Sequence, residues 1–264
     1  MSVQVGKVEF GAADFVVIAG PCAVESERQI LQAAEGVAAH GARMLRGGAY
    51  KPRSSPYTFQ GLGVEGLKLL AKARRATGLP VVTEVMSDTL VDVVAEYADM
   101  LQIGSRSMSN WVLLDAAAAT GMPILLKRGM TATVEELAEA AEFIRDRGNP
   151  NIVLCERGIR TFGTATRNTC DIVAVPVLQK LTGLPVIVDP SHATGVRDLV
   201  APVARAAAAI GAHGLIVEVH PDPDHALSDG MQTLSLHDFG DMMEDLRPFA
   251  AVWSERRCGM CAHA

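Results

Sequence analysis

Three cationic side chains lie within eight positions of the segment RGGAYKPRSSPY, which covers residues 46–57. Arg46, Lys51 and Arg53 share this segment with two glycines, and an apolar run at 42–45 precedes it. Solubility requires only scattered charge, whereas clustered cations are suited to phosphate or carboxylate groups. The segment therefore predicts a binding site for an anionic ligand.

Ionisable side chains also follow the other short apolar runs of the chain. In chain order, one from each run, they are Cys22, Arg46, Glu84, Arg106, Lys127, Arg157, His192 and Glu218. If the runs are strands of one barrel, the cations meet at one mouth and can hold two or more anionic groups. Gly47 and Gly48 would let the loop backbone approach a ligand closely. Separate surface ion pairs remain the alternative for Arg53 and Arg128.

A second group of side chains combines soft and acidic donors. Cys22, His192, Glu218 and Asp229 come from the first, seventh and eighth units of the chain. Thiolate, imidazole and carboxylate ligands together suit a divalent transition metal. The sequence leaves two questions open, because Cys22 can be a small buried hydrophobe and His220 competes with His192 as the imidazole ligand.

The apolar runs and the segments between them predict the elements that position these groups. The runs are 15–19, 44–45, 81–82, 100–103, 124–126, 152–154, 186–188 and 215–219. Alanine-rich segments with helical periodicity lie between them, for example at 27–40, 64–77 and 134–147. Eight strand–helix units predict an α/β fold, a (β/α)8 TIM barrel, with a doubly wound open sheet as its rival.

Size and composition are consistent with one catalytic domain over residues 1–264. Alternating apolar residues predict a short N-terminal β-hairpin within 1–12, and we expect a flexible tail at 254–264 and no fused regulatory domain. The tail carries Cys258, Cys261 and His263, a spacing typical of metal or redox sites, but its terminal position favours a disordered end.

Charge, hydropathy and cysteine usage exclude several functional classes. The net charge of −6 argues against a nucleic-acid partner, and no apolar run is long enough to indicate a membrane partner. The N-terminus lacks the apolar core of a signal peptide. Five scattered cysteines fit a reducing compartment better than a disulfide framework, so we expect a cytoplasmic protein.

Several segments together resemble the short, type I-beta class of 3-deoxy-D-arabino-heptulosonate 7-phosphate (DAHP) synthases. The segments are IAGPCAVES, RGGAYKPRSSPYTFQGLG, LQIGSR, LLKRGM, CERGIRTF, TRNTCDI, VDPSHATG and EVHPDPDHALSDGMQTL, and the resemblance extends from about residue 15 to about residue 247. It implies a TIM-barrel transferase that condenses phosphoenolpyruvate with erythrose 4-phosphate and water. That reaction is the first step of the shikimate pathway to chorismate and the aromatic amino acids.

The resemblance also assigns roles to the candidate residues. It implies a divalent cation (Mn, Fe, Co or Zn) on Cys22, His192, Glu218 and Asp229. It implies that Arg53 and Ser54 hold the aldose phosphate. Phosphoenolpyruvate would lie on Arg46, Lys51, Arg106, Lys127 and Arg157, with Glu84 and the Ser105 backbone nearby. Lys51 would deliver a proton and Glu84 would pair with water.

Related activities compete with this interpretation. The 3-deoxy-D-manno-octulosonate 8-phosphate (KDO8P) synthases use arabinose 5-phosphate and resemble this chain, but Pro52 in the aldose loop favours the four-carbon acceptor and Cys22 argues against their metal-free branch. Ser54 stands where threonine is usual, Ser107 where asparagine is expected and Gly163 where an acidic residue is common. These departures keep a specialised-metabolism homologue in competition, and a phosphosugar-binding regulatory barrel is the non-enzymatic competitor.

We expect a homo-oligomer, either a dimer or a tetramer. Because no fused regulatory domain is expected, any feedback regulation would come through a separate regulatory chain such as a chorismate mutase.

Overall fold

A computed structural model describes residues 1–51 and 57–261, with side chains described as far as residue 255. Candidate residues Arg53 and Ser54, together with Pro52, lie outside the described residues, and so does His263. The aldose-phosphate assignment made from that segment therefore stays a prediction.

Eight parallel strands of the described chain form a closed barrel, which confirms the predicted fold class. Each strand pairs with the next along the chain, and the last pairs with the first. After the N-terminal hairpin of β1 (Val3–Val5) and β2 (Val8–Phe10), the barrel strands are β3 (Val16–Gly20), β4 (Met44–Arg46), β5 (Val81–Val85), β6 (Met100–Ile103), β7 (Ile124–Lys127), β8 (Ile152–Glu156), β9 (Val186–Val188) and β10 (Gly214–Glu218).

Helices cover the outside of the barrel. They are α1 (Glu27–Ala39), α2 (Val64–Thr77), α3 (Val91–Ala95), α4 (Trp111–Ala119), α5 (Val134–Asp146), α6 (Ala174–Thr182), α7 (Pro190–Thr194), α8 (Val200–Ile210) and α9 (Leu236–Cys261). Gly78 and Gly183 end α2 and α6 in the left-handed conformation, with φ of 70° at both positions, because glycine carries no Cβ that would clash there.

Alternation along each strand separates the two hydrophobic layers of the barrel. Val17, Ala19 and Leu45 face the helices, whereas Ile18 and Met44 face the barrel axis. The valines and the phenylalanine of the β1–β2 hairpin belong to the same hydrophobic cluster as the side chains in the barrel interior. The hairpin therefore packs against the amino ends of the barrel strands. Alternation decides which side chains face the barrel interior. Since the hairpin covers the amino end of that interior, the cleft opens at the carboxyl end.

The flexible tail expected at 254–264 stays a prediction, although the backbone of its described part is helical. Helix α9 runs to Cys261, so it includes most of the 254–264 segment, although the side chains beyond 255 lie outside the described residues. Within the described residues, no helix is both long and apolar enough to span a membrane.

Candidate active site

A cleft of about 420 Å³ opens at the carboxyl ends of the barrel strands. Ten of the predicted site residues line it, and they are Cys22, Arg46, Lys51, Glu84, Ser105, Arg106, Lys127, Arg157, His192 and Asp229. Glu218 is fully buried and joins Cys22 and Asp229 in one group of donor atoms. The described candidate residues therefore meet at one site.

Strand alternation explains which polar residues enter the cleft. Met44 and Leu125 point to the barrel axis, so the next residues on the same side of their strands are Arg46 and Lys127, and both line the cleft. Each is the second residue beyond an apolar interior position. The barrel axis thus changes from apolar to charged within one side-chain layer.

Arg128 follows the opposite face of its strand and does not line this cleft. Its guanidinium donates to Glu156 and Asp171 at 2.8 Å and to the Ala132 carbonyl at 3.0 Å. Burial lowers the pKa of Arg128, but hydrogen bonds to the two carboxylates outweigh that effect and raise it. The surface-pair alternative left open for Arg128 is therefore replaced by a buried guanidinium that is ion-paired with Glu156 and Asp171.

Arg157 is buried in the cleft with much of its hydrogen-bonding capacity unused. Its Nε and Nη1 atoms have no hydrogen-bond partner among the residues that the structure describes, and burial lowers the pKa of its guanidinium. A buried charged donor without partners is costly unless a ligand supplies them. Arg157 therefore marks the position where an anion fits best.

Lys127 lies beside a buried acid that also contacts His192. Asp189 accepts hydrogen bonds from Lys127 Nζ and, at 2.7 Å, from His192 Nδ1. Burial alone would raise the pKa of Asp189, but His192 and Lys127 hold it well below its ordinary value. Asp189 thus links the cationic half of the cleft to the imidazole.

Arg46 and Lys51 connect the cations to the donor group. Arg46 Nη1 lies 3.1 Å from Glu218 Oε1, and Lys51 Nζ lies 2.9 Å from the Cys22 carbonyl and 3.0 Å from Cys22 Sγ. A Cβ on Gly48 would lie 2.6 Å from that carbonyl and 3.0 Å from Lys51 Nζ. Glycine at this position therefore permits close approach by the chain's own carbonyl and lysine.

The soft and acidic donors form a compact group. Donor atoms of Cys22, Glu218 and Asp229 all lie within 4.8 Å of one another, and His192 Nε2 is 3.4 Å from Glu218 Oε1. The hydrogen bond to Asp189 fixes Nδ1 of the imidazole as the protonated nitrogen, which leaves Nε2 free to act as a ligand. One thiol, one imidazole and two carboxylates fit a divalent transition metal.

Ionisation of two donors depends strongly on their surroundings. Burial, aided by the charge of Glu218, raises the pKa of the Cys22 thiol to about 12. Burial would also raise the pKa of Asp229, but the hydrogen bond from Cys22 and the nearby His192 lower it below its ordinary value. Without a cation, the thiol proton therefore helps to hold the carboxylate in place.

The second candidate imidazole is committed elsewhere. His220 Nδ1 accepts a hydrogen bond from the Asp222 N–H at 2.9 Å, and Nε2 lies 3.3 Å from Glu25 Oε2. Because both ring nitrogens have partners away from the cleft, the geometry favours His192 as the ligand.

Several residues of the cleft lie in the segments that carry the resemblance but were assigned no role from the sequence. They are Gln102, Met130, Arg160, Arg167 and Asn168. Three of them belong to the irregular connection between β8 and α6, where no periodicity predicts direction. The segments CERGIRTF and TRNTCDI contain these three residues but suggest no role for them. Ser107 does not line the cleft, and its N–H donates to the Gly104 carbonyl.

A closed (β/α)8 barrel with clustered cations and metal-type donors at its strand ends defines a class of barrel enzyme that acts on anionic substrates. A family model for the DAHP synthetase I family matches residues 2–249. The chain therefore belongs to the DAHP synthetase I family.

Individual relatives agree with this assignment. A Thermotoga maritima phospho-2-dehydro-3-deoxyheptonate aldolase is 50% identical over 248 residues, covering 94% of this chain and 73% of the relative. A crystal structure of the enzyme under that name from T. maritima superposes with a TM-score of 0.94 at 49% identity, over 96% of this chain and 74% of that one. A 2-dehydro-3-deoxyphosphooctonate aldolase of Rhodopseudomonas palustris is 37% identical, over 97% of this chain and 95% of the relative.

Proposed function

We propose that this protein is a DAHP synthase, a transferase that condenses phosphoenolpyruvate with erythrose 4-phosphate and water to give DAHP and phosphate. The Nε and Nη1 atoms of Arg157 carry the proposal, because these buried cationic donors have no partner within the described chain and an anionic ligand would supply one. Identity of 50% to a heptonate aldolase, against 37% to an octonate aldolase, supports the seven-carbon product.

The cationic half of the cleft would hold phosphoenolpyruvate. Arg157, Lys127, Arg106 and Ser105 all line the cleft, and this set of cations suits a molecule with one phosphate and one carboxylate. Planar guanidinium groups bind such oxygens in pairs, whereas lysine contributes a mobile point charge. These residues fix the reacting carbons and neutralise two mutually repelling anions, which is mainly a positioning effect.

Cys22, His192, Glu218 and Asp229 would hold a divalent cation (Mn, Fe, Co or Zn). A cation bound there supplies Lewis acidity for the aldehyde carbonyl of the acceptor. Lys51 Nζ contacts both the backbone carbonyl and the thiol of Cys22, which supports a role for its ammonium group in delivering a proton to the oxygen that becomes the new hydroxyl.

Glu84 would orient the attacking water. It lines the cleft, and Gln102 Nε2 donates to its Oε2 at 3.4 Å. The methylene carbon of phosphoenolpyruvate forms the new carbon–carbon bond, and water adds to the neighbouring carbon. Phosphate then leaves with cleavage of the carbon–oxygen bond while the same carbon becomes a ketone. Of the two protons of the water, one passes to a base such as the Glu84 carboxylate when the water adds, and the other is released as the ketone forms and leaves with the phosphate.

The acceptor assay tests this proposal directly. Phosphate release from phosphoenolpyruvate should be far faster with erythrose 4-phosphate than with arabinose 5-phosphate in enzyme reconstituted with a divalent metal. The opposite preference in kcat/KM would assign the chain to the octulosonate branch. If the protein bound both phosphoenolpyruvate and erythrose 4-phosphate but released no phosphate, the result would instead favour a regulatory barrel.

Assembly, regulation and location belong to the same proposal. We infer a cytoplasmic homo-oligomer, a dimer or tetramer, whose feedback regulation comes through a separate chain such as a chorismate mutase. Membership of a biosynthetic enzyme family supports this inference, and sedimentation of the purified chain alone and with such a partner would test it.

A further inference from the structure

The connection between β8 and α6 contacts the helix that carries His192. The Arg167 N–H donates to the Thr194 carbonyl at 2.8 Å, and the Asn168 N–H donates to the Ala193 carbonyl at 3.1 Å. The Asn168 side chain donates to the His192 carbonyl at 3.0 Å. Residues 167 and 168 are therefore fixed against α7 through three hydrogen bonds.

From this fixed position, the Arg167 side chain reaches the acidic donors. Its Nη1 lies 3.5 Å from Asp229 Oδ1, and its Nη2 donates to Gln232 Oε1 at 3.1 Å. Gln232 Nε2 in turn donates to Glu218 Oε2 at 2.7 Å. One guanidinium thus contacts one carboxylate directly and the other through an amide.

Burial and backbone geometry make this linkage specific. Gln232 is fully buried, and its amide cannot be reversed, because the nitrogen must face Glu218 and the oxygen must face Arg167. Asp229 has a φ of 56°, a left-handed conformation that aspartate tolerates better than most residues, and the Thr233 hydroxyl donates to its carbonyl at 2.8 Å. A Cβ on Gly195 would lie 2.7 Å from the Arg167 Cβ, so glycine there leaves room for the arginine.

We propose that Arg167 is a positioning residue that acts through Gln232 and through Asp229 to hold both carboxylates at ligand distance and thereby sets the affinity for the divalent cation. The inference rests on the metal site of the proposed function. Two carboxylates so close together repel each other, and the guanidinium offsets that repulsion in the absence of a cation. Its fork contacts two partners at once, which a lysine cannot reproduce.

Arg167 has an obvious competing role, because it also lines the cleft. As an ordinary anion-binding cation it would affect phosphoenolpyruvate affinity and leave metal affinity unchanged. As a positioning residue it affects metal affinity first. The two roles therefore differ in which dissociation constant changes.

The experiment measures Co²⁺ and Mn²⁺ binding to the chelator-stripped full chain by calorimetry and by chelator competition. The variants are Arg167→Met, Arg167→Lys, Gln232→Met and the double variant. Loss of an outer hydrogen-bond partner typically weakens metal binding about 10- to 100-fold, and we expect Arg167→Met and Gln232→Met to fall in that range. Arg167→Lys should be intermediate. The double variant should be weakened by less than the product of the two single effects, because part of the Arg167 effect passes through Gln232.

Three controls make the result specific. Arg205→Met removes an arginine that pairs with Asp245 at 3.0 Å on the outer helices and should leave metal binding unchanged. Urea unfolding of the metal-free proteins separates loss of metal affinity from loss of the fold. If Arg167→Met does not fold, the metal affinity of Gln232→Met or Arg167→Lys tests the inference instead. The thiolate absorption of bound Co²⁺ should shift in Arg167→Met, since displaced carboxylates change the ligand geometry.

Two results would overturn the inference while leaving the proposed function intact. One is wild-type metal affinity in both Arg167→Met and Gln232→Met, and the other is weakened phosphoenolpyruvate binding with unchanged metal affinity. A wild-type protein that binds neither Co²⁺ nor Mn²⁺ would instead refute the metal site itself, and this inference with it.

Discussion

Two adjacent buried arginines should respond to the same substitution in opposite ways. Arg157 has two nitrogens that lack partners in the described part of the chain, whereas Arg128 contacts two carboxylates and one carbonyl. Methionine removes the charge and the donors but retains a long, flexible apolar side chain. Arg157→Met and Arg128→Met therefore form a matched pair.

The magnitudes follow from these partners. An unsatisfied buried donor costs about 1–3 kcal/mol, so Arg157→Met should leave the ligand-free protein as stable as wild type or more stable by up to about 3 kcal/mol. Arg128→Met leaves Glu156 buried without its counter-ion. Breaking one side of a buried pair costs about 3–5 kcal/mol, which corresponds to a Tm lower by on the order of 10 °C.

Binding should show the reverse order. Charge-assisted hydrogen bonds contribute about 1.5–3 kcal/mol each, so loss of the Arg157 guanidinium should weaken phosphoenolpyruvate binding on the order of 100-fold. Arg128→Met should change it far less, because Arg128 does not line the cleft. Urea unfolding and calorimetric titration with phosphoenolpyruvate measure both quantities. Destabilisation of Arg157→Met by more than about 1 kcal/mol, or its unchanged affinity, would refute the reasoning.

Further predictions concern the other half of the site. Chelator should abolish turnover, and added Mn²⁺ or Co²⁺ should restore it. Cys22→Ala should stay inactive when the same metals are added. Full activity of the wild type after chelation would show that the reaction needs no cation. Lys51→Met should lower kcat at saturating substrates while calorimetry still detects phosphoenolpyruvate binding, and a wild-type kcat would leave Lys51 a binding role only. Gly104→Ala should lower kcat, since its Cβ would lie 1.9 Å from Glu84 Oε1; unchanged steady-state kinetics would contradict a role for the Glu84 position. The pKa of Asp189 is lower in the folded protein than its unfolded value of about 4. The ionised carboxylate therefore contributes stability that is fully present above about pH 4 and is lost as the pH falls from there through the folded pKa. The unfolding free energy of Asp189→Asn should therefore fall less than that of wild type between about pH 5 and pH 3, and parallel urea-unfolding curves would contradict this linkage.

Much of the architecture was accessible from the sequence because the barrel repeats a simple pattern. Short apolar runs predicted the eight strands, and the charged residue after each run predicted the side chains at the mouth. The pattern does not distinguish Lys127, which lines the cleft, from Arg128, which forms ion pairs with Glu156 and Asp171. That distinction depends on which residue of the strand faces the axis, and a continuous apolar run carries no such alternation.

Other features depend on contacts that no local pattern encodes. The choice between His192 and His220 follows from Asp189 on one side and Glu25 on the other. Arg167 lies in an irregular connection, and its direction is set by contacts with α7 that join distant parts of the chain. Residue types and strand ends are thus encoded locally, whereas the partners of irregular segments depend on contacts between distant parts of the chain.

The pairing between β10 and β3 has a consequence for how the protein is made. These strands match five residue pairs, and they bring Cys22 next to Asp229, which is 207 positions away along the chain. A growing chain cannot assemble the complete donor set until its last unit has left the ribosome and closed against the first. Capture of the cation would therefore report barrel closure, and newly made, incomplete chains would remain unmetallated.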